Sequence, residues 1–304
     1  MTESAQEVMT SSWSSAVIDG IMYPPYVTRE TLERMKNYET REDDVWIVTY
    51  PKAGTHWIRE IVSLIYVDGE VEAIDRNEYC RPLEFGDMLI DKQPRPSSYP
   101  SSQSFKSPRT LVTHIPEDLL PRQIKEGKGK VVYVIRNPKD SAVSNWFFLK
   151  DRRKEYAVKW DTYIQDVLEG KASYGPWYKH VKQYWERHRT DKNFIFVHYE
   201  DFKKDHRNGV IKLAEFIGHP LSDEAIDKVV KHSSLEGMSR THHTAVSNTN
   251  GSSVGLPKKV GAPKIIRKGV VGDWKNYFTV SQSELLDSIS RKELDGTGIN
   301  VTYE

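Results

Sequence analysis

The chain has 304 residues, close to the upper limit for one continuous hydrophobic core, so we expect one large domain or two closely merged halves rather than two independent domains. Hydrophobic residues make up 38% of the chain and aromatic residues 11%, which is enough to fill such a core. Its 44 basic and 43 acidic residues leave a formal net charge of +1, which excludes a global field for wrapping nucleic acid or coating an anionic membrane, so any anion site must be local.

The cysteine content and the N-terminal sequence indicate an intracellular protein. Cys80 is the only cysteine, so no internal disulfide can form and a reducing compartment is the natural setting. The first 20 residues lack a basic segment followed by an apolar stretch, and no run of 18 apolar residues occurs anywhere. We therefore expect a soluble, cytoplasmic protein, and we assign no function to the lone thiol.

The N-terminal part of the chain predicts an extended or helical segment, followed by the first strand and helix of a domain. Residues 1–44 are polar with short apolar islands, and the two prolines within 23–26 favour an extended backbone. The compact apolar run at 45–50 predicts a buried strand. After a turn that contains glycine, apolar residues recur at helical spacing from Trp57 to Ile65, which predicts a helix.

The same alternation of strand and helix continues along the chain. Further strands are predicted at 111–113, 131–135 and 194–198, with a helix beginning near Asp140 and helical sequence around 161–189. Strands separated by helices are typical of the α/β class, so we expect a single domain over 1–304 with a central parallel sheet flanked by helices.

A polar segment late in the chain predicts a long mobile loop. Residues 239–266 are rich in Ser, Thr, Asn, Gly and Pro. His242 and His243 lie within it, and we interpret them as solvated, with metal binding as the minor alternative.

The turn after the first predicted strand has the composition of an anion site. Lys52, Gly54 and Thr55 connect a strand to a helix, where backbone N–H groups and the positive helix end meet. The lysine precedes the glycine, so this is not the phosphate loop of nucleoside triphosphatases, which reads G-x-x-x-x-G-K-[ST]. The loop alone fits an anion site and an ordinary strand-to-helix turn equally well.

Two further stretches combine cations with a turn. Residues 136–144 begin with Arg136 directly after a strand, at the edge where ligands gather in open α/β sheets. Residues 267–275 begin with two cations and a glycine, which suit a close approach to a phosphate. Each stretch alone is also compatible with a solvated surface cluster.

Together these stretches resemble the signatures of the cytosolic sulfotransferases in their usual order. The matching stretches are 50–57, 136–144 and 267–275, with Thr113-His114, Tyr174-Gly175-Pro176-Trp177 and Tyr199-Glu200-Asp201 at similar positions. The resemblance spans most of the chain. It implies a P-loop-like phosphosulfate-binding loop, PAPS as the sulfuryl donor, PAP as the product and no metal.

The resemblance also implies roles for individual residues. Those implied to bind the donor are Lys52, Ala53, Gly54, Thr55, His56, Trp57, Arg136, Ser144, Tyr199, Ser233, Leu235, Arg267, Lys268 and Gly269. Lys52 would neutralise the leaving oxygen, Ser144 would hold that lysine aside until an acceptor arrives, and His114 would be the general base. A sulfuryl group carries less charge than a phosphoryl dianion, so a fixed cation can replace magnesium, and the sequence has no acidic cluster with metal-ligand spacing.

Four positions depart from the family pattern. Ala53 stands where a serine is common, and His56 stands where a hydroxyl residue or asparagine is common. Leu235 replaces an aromatic residue that often covers the second face of the adenine, which weakens stacking. Val112 replaces the lysine found in many phenol-acting members, so that lysine's auxiliary role has no counterpart here.

The acceptor is expected to be small and apolar or aromatic. Candidate acceptor-pocket residues are Phe85, His114, Phe148 and Trp177. Phenols, steroids, amines and other alcohols all remain open, because specificity depends on the shape of the pocket.

The resemblance further implies a homodimer through residues 275–284. Lys275, Thr279, Val280 and Glu284 match the family's dimer segment, K-x-x-x-T-V-x-x-x-E. The stretch from Ser281 to Glu284 is also a capping-box pattern that would open the last helix, so Glu284 has a local explanation as well.

Three other functions fit the sequence less well. A kinase would need a magnesium carboxylate after a strand and a lysine later in the loop, and neither is evident. A nucleotide-binding regulatory or nucleic-acid-binding protein is disfavoured by the near-zero net charge and by the context of His114. A Golgi sulfotransferase acting on polysaccharide would need a membrane anchor and usually has disulfides, neither of which the sequence provides.

Overall fold

A computed structural model describes residues 16–90, 93–152, 158–240 and 267–304. Its strands are β1 (Ala16–Ile18), β2 (Ile21–Tyr23), β3 (Val45–Thr49), β4 (Met88–Ile90), β5 (Gln93–Arg95), β6 (Thr110–Thr113), β7 (Lys130–Ile135) and β8 (Phe194–His198). Its helices are α1 (Arg29–Lys36), α2 (Thr55–Ile65), α3 (Ser98–Ser102), α4 (Arg122–Lys125), α5 (Pro138–Arg152), α6 (Trp160–Leu168), α7 (Trp177–His188), α8 (Tyr199–Lys204), α9 (His206–Ile217), α10 (Asp223–Ser233) and α11 (Val280–Leu294). Short 3₁₀ helices lie at Val71–Ala73, Arg76–Glu78, Glu117–Leu119 and Asp273–Asn276.

A four-stranded parallel sheet with the order β6-β3-β7-β8 forms the centre of the fold. Val45 pairs with Thr110 on one side and with Lys130 on the other, and Val131 pairs with Phe194. The predicted α/β class with a central parallel sheet is confirmed, and the predicted strands agree with the observed ones to within one residue. Two antiparallel ribbons, β1–β2 and β4–β5, lie outside this sheet.

The strands are apolar because helices cover them. Every residue of β3 is buried, and in β7 only the first residue is partly exposed. Helix α2 contacts both α9 and α10, and its residues from Ile58 to Ile65 are buried. Continuous β-branched runs rather than alternating ones are what a sheet covered on both faces requires.

The four strands end at one edge of the sheet. Because they are parallel, the residues that follow Thr49, Thr113, Ile135 and His198 emerge side by side. The opposite edge holds a fully buried ion pair, in which Arg109 Nε donates to Asp44 Oδ1 at 2.7 Å. The ion pair therefore lies at the end of the sheet away from the strands' carboxyl ends.

The N-terminal segment packs on the main body over the residues that the structure describes. The Tyr23 ring meets the Tyr174 ring edge-on at 5.3 Å, and the Tyr174 N–H donates to the Met22 carbonyl at 2.8 Å. Tyr26 follows as an extended turn rather than a helix, and its carbonyl accepts from the Gly86 N–H at 2.7 Å.

Two local predictions need correction. The capping box of the last helix is not Ser281 to Glu284: Thr279 is the N-cap, and it exchanges hydrogen bonds with Gln282. The helical sequence predicted around 161–189 is interrupted by a turn at 169–176.

Part of the predicted mobile loop is helical, and the rest lies outside the described residues. Residues 239 and 240 belong to a helical stretch over 235–240, whereas 241–266, with His242 and His243, lie outside. Within the described ranges, no helix is both long and apolar enough to span a membrane.

Candidate active site

The loop between β3 and α2 has the backbone of an anion cradle. Lys52 and Gly54 both have positive φ angles, +68° and +118°. Gly54 is the N-cap of α2, and because it has no side chain, no side-chain cap covers the start of the helix. The positive end of this 11-residue helix favours an anion at this point.

Tyr199 closes one side of this loop. A Cβ atom added to Gly54 would lie 2.9 Å from Tyr199 Cδ2, so only glycine fits there. The guanidinium of Arg136 lies 4.4 Å from the centre of the Tyr199 ring, and Arg136 Nη1 donates to the Lys52 carbonyl at 3.0 Å. The residues that follow β7 and β8 thus fix the loop 50–54 between β3 and α2, the proposed phosphate loop.

Trp57 is held on the far side of the same loop. Its Nε1 donates to the Ser233 carbonyl at 2.9 Å, and its ring meets Tyr199 edge-on at 5.1 Å. Ser233 has 0% exposure, and its hydroxyl donates to the Val229 carbonyl at 2.6 Å. Ser233 therefore reaches this site through the indole that it holds rather than through its own hydroxyl.

The third cationic stretch is organised by Asp273. Lys268 Nζ lies 2.7 Å from Asp273 Oδ1, and Arg267 Nη1 donates to the other carboxylate oxygen. The Arg267 guanidinium also lies 4.9 Å from the centre of the Phe147 ring. Gly269 has φ of +63° beside Leu235, which is 42% exposed.

The tautomer of His114 follows from its contacts after β6. Its Nδ1 lies 2.9 Å from the carbonyl oxygen of Thr49 and 3.0 Å from Thr49 Oγ1. A carbonyl oxygen only accepts, so Nδ1 carries the proton and donates to Thr49. In the neutral imidazole the lone pair is therefore on Nε2, which is the nitrogen that can take a proton.

Buried polar groups fix the backbone beneath His114. Glu84 Oε1 accepts from the His114 N–H at 3.0 Å and from the Tyr174 hydroxyl at 2.9 Å, and Oε2 accepts from Thr113 Oγ1 at 2.8 Å. His180 Nε2 donates to the His114 carbonyl at 3.0 Å. Both main-chain groups of His114 are thus bonded to side chains of the protein interior.

The pKa of His114 is lowered to about 4, chiefly by burial and also by the nearby Lys52 cation, against a hydrogen bond to Thr49 that raises it. Burial disfavours the charged imidazolium, so the ring is neutral at pH 7. A neutral ring can accept a proton.

The other predicted loop residues occupy defined positions. Ala53 is fully buried, Thr55 Oγ1 lies 2.7 Å from Thr49 Oγ1, and His56 Nδ1 accepts from Arg59 at 3.0 Å. Val112, which departs from the lysine of many phenol-acting family members, is buried within β6.

The comparisons with known proteins decide the family. The family model described as "Sulfotransferase domain" matches residues 42–298. Sulfotransferase 1B1 of Canis lupus familiaris is 35% identical over 92% of this chain and 93% of its own length, and sulfotransferase 1C2 of Homo sapiens is 35% identical over 94% and 95%. The chain belongs to the sulfotransferase family. Its enzyme class is that of the PAPS-dependent sulfotransferases.

A solved structure agrees with this family. The mouse sulfotransferase SULT7A1, crystallised in complex with PAP, is similar to this sulfotransferase with a TM-score of 0.75 at 29% identity, covering 93% of this chain and 96% of the mouse chain. The sulfotransferase fold therefore extends over nearly the whole chain.

The predicted acceptor residues of this sulfotransferase are not all brought together. Phe148 lies beneath the Lys52 ammonium, with 4.2 Å from Nζ to the ring centre, whereas Phe85 packs edge-on against Tyr26 at 4.5 Å. Trp177 lines a cavity between α5, α6, α7 and α11, and Tyr50, which directly follows β3, also lines it. The assignment of Trp177 to the acceptor pocket therefore rests on the family resemblance alone.

The predicted dimer residues of the sulfotransferase are exposed at the start of α11. Lys275, Thr279 and Glu284 are exposed, and Val280 is 74% exposed. Leu285, an adjacent apolar residue, is 49% exposed. The exposed apolar side chains of Val280 and Leu285 therefore lie within the predicted dimer segment or directly after it.

Several buried residues organise the site although the sequence predicted no role for them, and four of these, Asn137, Asp140, Glu200 and Asp273, lie within the stretches that resemble the family. The whole set is Thr49, Glu84, Asn137, Asp140, His180, Glu200 and Asp273. A carboxylate between apolar residues, as in Leu83-Glu84-Phe85, is a sequence signal for a buried acid, but its partners are 29 and 30 residues away or more. In the part of the chain that the structure describes, no three His, Cys, Asp or Glu side chains form a group able to hold a metal ion.

Proposed function

We propose that this sulfotransferase transfers a sulfuryl group from PAPS to a hydroxyl or amine of a small apolar or aromatic acceptor, releasing PAP and a sulfated product. The observation that carries the proposal is the contact network around Gly54. There, Arg136 bonds the Lys52 carbonyl and stacks on Tyr199, so a cation from a distant stretch adjoins the phosphate loop. A donor with anionic groups at both ends suits cations arranged in this way.

The residues fit the donor in two observable respects. Gly54 lets the Tyr199 ring pack against the loop where a Cβ would collide with it, beside the N-terminus of α2, which favours the 5′ phosphosulfate. Arg136 Nε is buried with no hydrogen-bond partner among the described residues, so this guanidinium has a donor left for a 3′-phosphate. Ser144, Arg267, Lys268 and Gly269 complete that assignment by family resemblance.

The adenine is assigned to Trp57 and its neighbours. Trp57 is oriented by the Ser233 carbonyl, and Lys203 Nζ lies 5.0 Å from the ring centre. Leu235, exposed beside Gly269, offers an aliphatic contact where relatives often have an aromatic residue. Stacking on one aromatic face rather than two therefore holds the base.

The chemistry supplied by PAPS is an activated sulfuryl group on a good leaving group. Lys52 neutralises the negative charge that develops on the leaving oxygen, and Ser144 restrains that lysine until an acceptor is present. His114 takes the acceptor's proton at Nε2, because Nδ1 donates to Thr49. In-line attack requires the acceptor's oxygen beside His114 and the leaving oxygen beside Lys52, with the sulfuryl group between the two oxygens.

The acceptor pocket is assigned to Phe85, His114, Phe148 and Trp177. Phe148 is the best supported of them, since its ring contacts the Lys52 ammonium. An edge-on contact of 5.7 Å between His114 and Tyr174 adds an aromatic wall at the proposed base. These rings favour an aromatic acceptor, with an amine as the alternative to a hydroxyl.

The proposed enzyme is a cytoplasmic homodimer. The exposed Val280 and the charged Lys275 and Glu284 beside it support an interface of the family's kind. The single Cys80, buried as a free thiol, suits a reducing compartment.

The direct test is an acceptor panel with ³⁵S-labelled PAPS in the presence of EDTA. We expect label in the organic product for at least one phenol, steroid, alcohol or amine, at the same rate with and without the chelator. Label transfer that requires added Mg²⁺ would contradict the metal-free mechanism. Failure of every acceptor class, in protein that binds PAP, would contradict the assigned small-molecule reaction.

A further inference from the structure

Asp140 connects two stretches that are far apart in the sequence. Its side chain has 0% exposure at the start of α5. Oδ2 accepts from the Gly272 N–H at 2.8 Å, and Oδ1 accepts from the Trp274 N–H at 3.0 Å. Both carboxylate oxygens therefore bind the backbone of the third cationic stretch, 267–275.

Asn137 and Glu200 hold Asp140 from the other side. Asn137 Nδ2 donates to Asp140 Oδ2 at 3.0 Å, and Asn137 Oδ1 accepts from the Asp140 N–H at 2.7 Å. Glu200 Oε1 accepts from both the N–H and Nδ2 of Asn137, each at 2.9 Å. A buried chain of charge-assisted hydrogen bonds thus runs from the end of β8, through the end of β7, to the C-terminal stretch.

The residue between the two bonded amides is Asp273. Its carboxylate binds Lys268 Nζ at 2.7 Å, binds Arg267, and accepts from Asn276 Nδ2 at 3.0 Å. The position of the Asp273 backbone therefore determines the positions of the Arg267 and Lys268 side chains. Asp140 fixes that backbone on both sides.

An ordinary helix cap does not account for these contacts. An acidic residue in the first turn of α5 is favourable for the helix dipole wherever its side chain points. The partners of Asp140 are instead amides 132 and 134 residues away. Asp140, Glu200 and Asp273 are buried carboxylates near the proposed phosphate site, and their negative charge would repel the ligand. They are tolerable only because each one is bound to N–H donors or cations.

We propose that Asp140 is the positioning residue for the 3′-phosphate: it sets the stretch 267–275 against Arg136 and thereby creates the preference for a nucleotide that carries this phosphate. The inference rests on the proposed function, because it assumes that Arg136, Arg267 and Lys268 bind the 3′-phosphate. It assigns Asn137 and Glu200 to the orientation of Asp140 and gives none of the three a contact with the donor.

The test compares affinities for PAP and AMP, which differ by the 3′-phosphate. Asp140→Asn keeps the size of the side chain but turns an NH₂ group toward one of the two backbone donors. Calorimetry should show that the ratio of the AMP and PAP dissociation constants falls about tenfold, which matches the loss of roughly one charge-assisted hydrogen bond. The affinity for AMP should change less than about twofold, since its 5′-phosphate site is held by other residues.

Asp44→Asn is the matched control, because Asp44 is also an aspartate with 0% exposure, bonded to Arg109 at the opposite edge of the sheet. It should lower the melting temperature and leave the ratio unchanged. An unchanged ratio in Asp140→Asn, or an equal loss of AMP and PAP affinity, would overturn the inference.

A second variant covers the case in which Asp140→Asn does not fold. Asp140→Glu keeps the charge but moves the carboxylate by one methylene, and it should reduce the same ratio with Asp44→Glu as its control. If the wild-type protein binds PAP no better than AMP, the donor assignment itself fails, and Asp140 has no 3′-phosphate to position. That result is distinct from a wild-type preference that survives in the Asp140 variants.

Discussion

The donor side and the acceptor side of the proposed active site are built differently. On the donor side, the ends of neighbouring parallel strands meet, and Arg136 after β7 bonds the Lys52 carbonyl after β3. Trp57 of α2 bonds the Ser233 carbonyl of α10 beside them. On the acceptor side, Phe85, Phe148 and Trp177 come from separate segments and contact different neighbours.

This difference follows from what each side must recognise. The donor is the same molecule for every member of the enzyme class, so backbone groups at the carboxyl ends of the strands can form its site. The acceptor varies, so its site depends on side-chain shape that can change without disturbing the sheet. Changes on the donor side should therefore affect every acceptor equally, whereas acceptor-side changes should not.

His114 lies where the two sides meet, and its loss should have the largest effect. His114→Ala removes the proposed base and should lower kcat by about 10²–10⁴-fold for every hydroxyl acceptor. Affinity for PAP, measured by calorimetry, should stay within about twofold because no donor contact is assigned to this ring.

His188→Ala is the control for loss of an interior imidazole, because His188 bonds Glu117 and stacks on Phe194 at the start of β8, away from the strands' carboxyl ends. It should lower the melting temperature without changing kcat. If His114→Ala kept most of its turnover, or lost PAP affinity in parallel, His114 would be structural and the division between the two sides would fail.

Gly54→Ala should have the next largest effect, and it should act on the donor side alone. An alanine would be strained at φ of +118°, and its Cβ would meet Tyr199 at 2.9 Å. Strain of about 1–3 kcal/mol in the bound conformation corresponds to roughly a 5- to 150-fold loss of PAP affinity.

Gly296→Ala is the control for adding a Cβ at a positive φ outside the site, because Gly296 has φ of +71° and nothing lies within 4 Å of the added Cβ. Its PAP affinity should equal that of the wild type. Unchanged PAP binding in Gly54→Ala would show that the phosphate loop does not hold the donor.

The pH profile should sharpen the assignment of His114. Because its pKa is lowered to about 4, the neutral form dominates at every pH well above 4, and kcat/KM should not fall between pH 8 and pH 6 through protonation of this ring. A limb centred near 6.5, where an unperturbed imidazole titrates, would contradict a buried base.

Stability must be followed in the same experiment. The unfolded chain binds protons at His114 and at His180, whose pKa is also lowered to about 4, between roughly pH 6.5 and pH 4, while the folded chain does not. The melting temperature should therefore fall as pH drops through this window. Rates are to be compared only where the protein stays folded.

Val280→Glu should have the smallest effect on activity, since the dimer surface belongs to neither side of the site. It places a charge on an exposed apolar position and should halve the apparent mass in sedimentation while kcat changes little. Val17→Glu, at another exposed apolar position, should sediment as the wild type does. A Val280→Glu protein with the wild-type mass would contradict the interface.

The sequence predicted the parts of the fold that depend on local pattern. Continuous apolar runs located β3, β7 and β8, and the residues after them located Lys52, Arg136 and Tyr199 at one sheet edge. Parallel strands make such a prediction possible, because their ends coincide whatever the connecting helices are.

The sequence did not reveal contacts that depend on tertiary packing. The buried state of Ser233 and the choice of Thr279 as N-cap depend on where α10 and α11 lie. Asp140 looked like a helix-start acid, and its bonds to Gly272 and Trp274 join positions more than a hundred residues apart. No local periodicity encodes such pairs.

We propose that separate stretches of the chain form one site for a nucleotide that carries phosphates on both its 3′ and 5′ positions. Calorimetry of the wild-type protein with PAP and with AMP, both in EDTA, tests it most directly. We expect PAP to bind at least about tenfold more tightly than AMP, since the 3′-phosphate gains charge-assisted bonds to Arg136, Arg267 and Lys268. Equal affinities, or PAP binding only with added Mg²⁺, would contradict it.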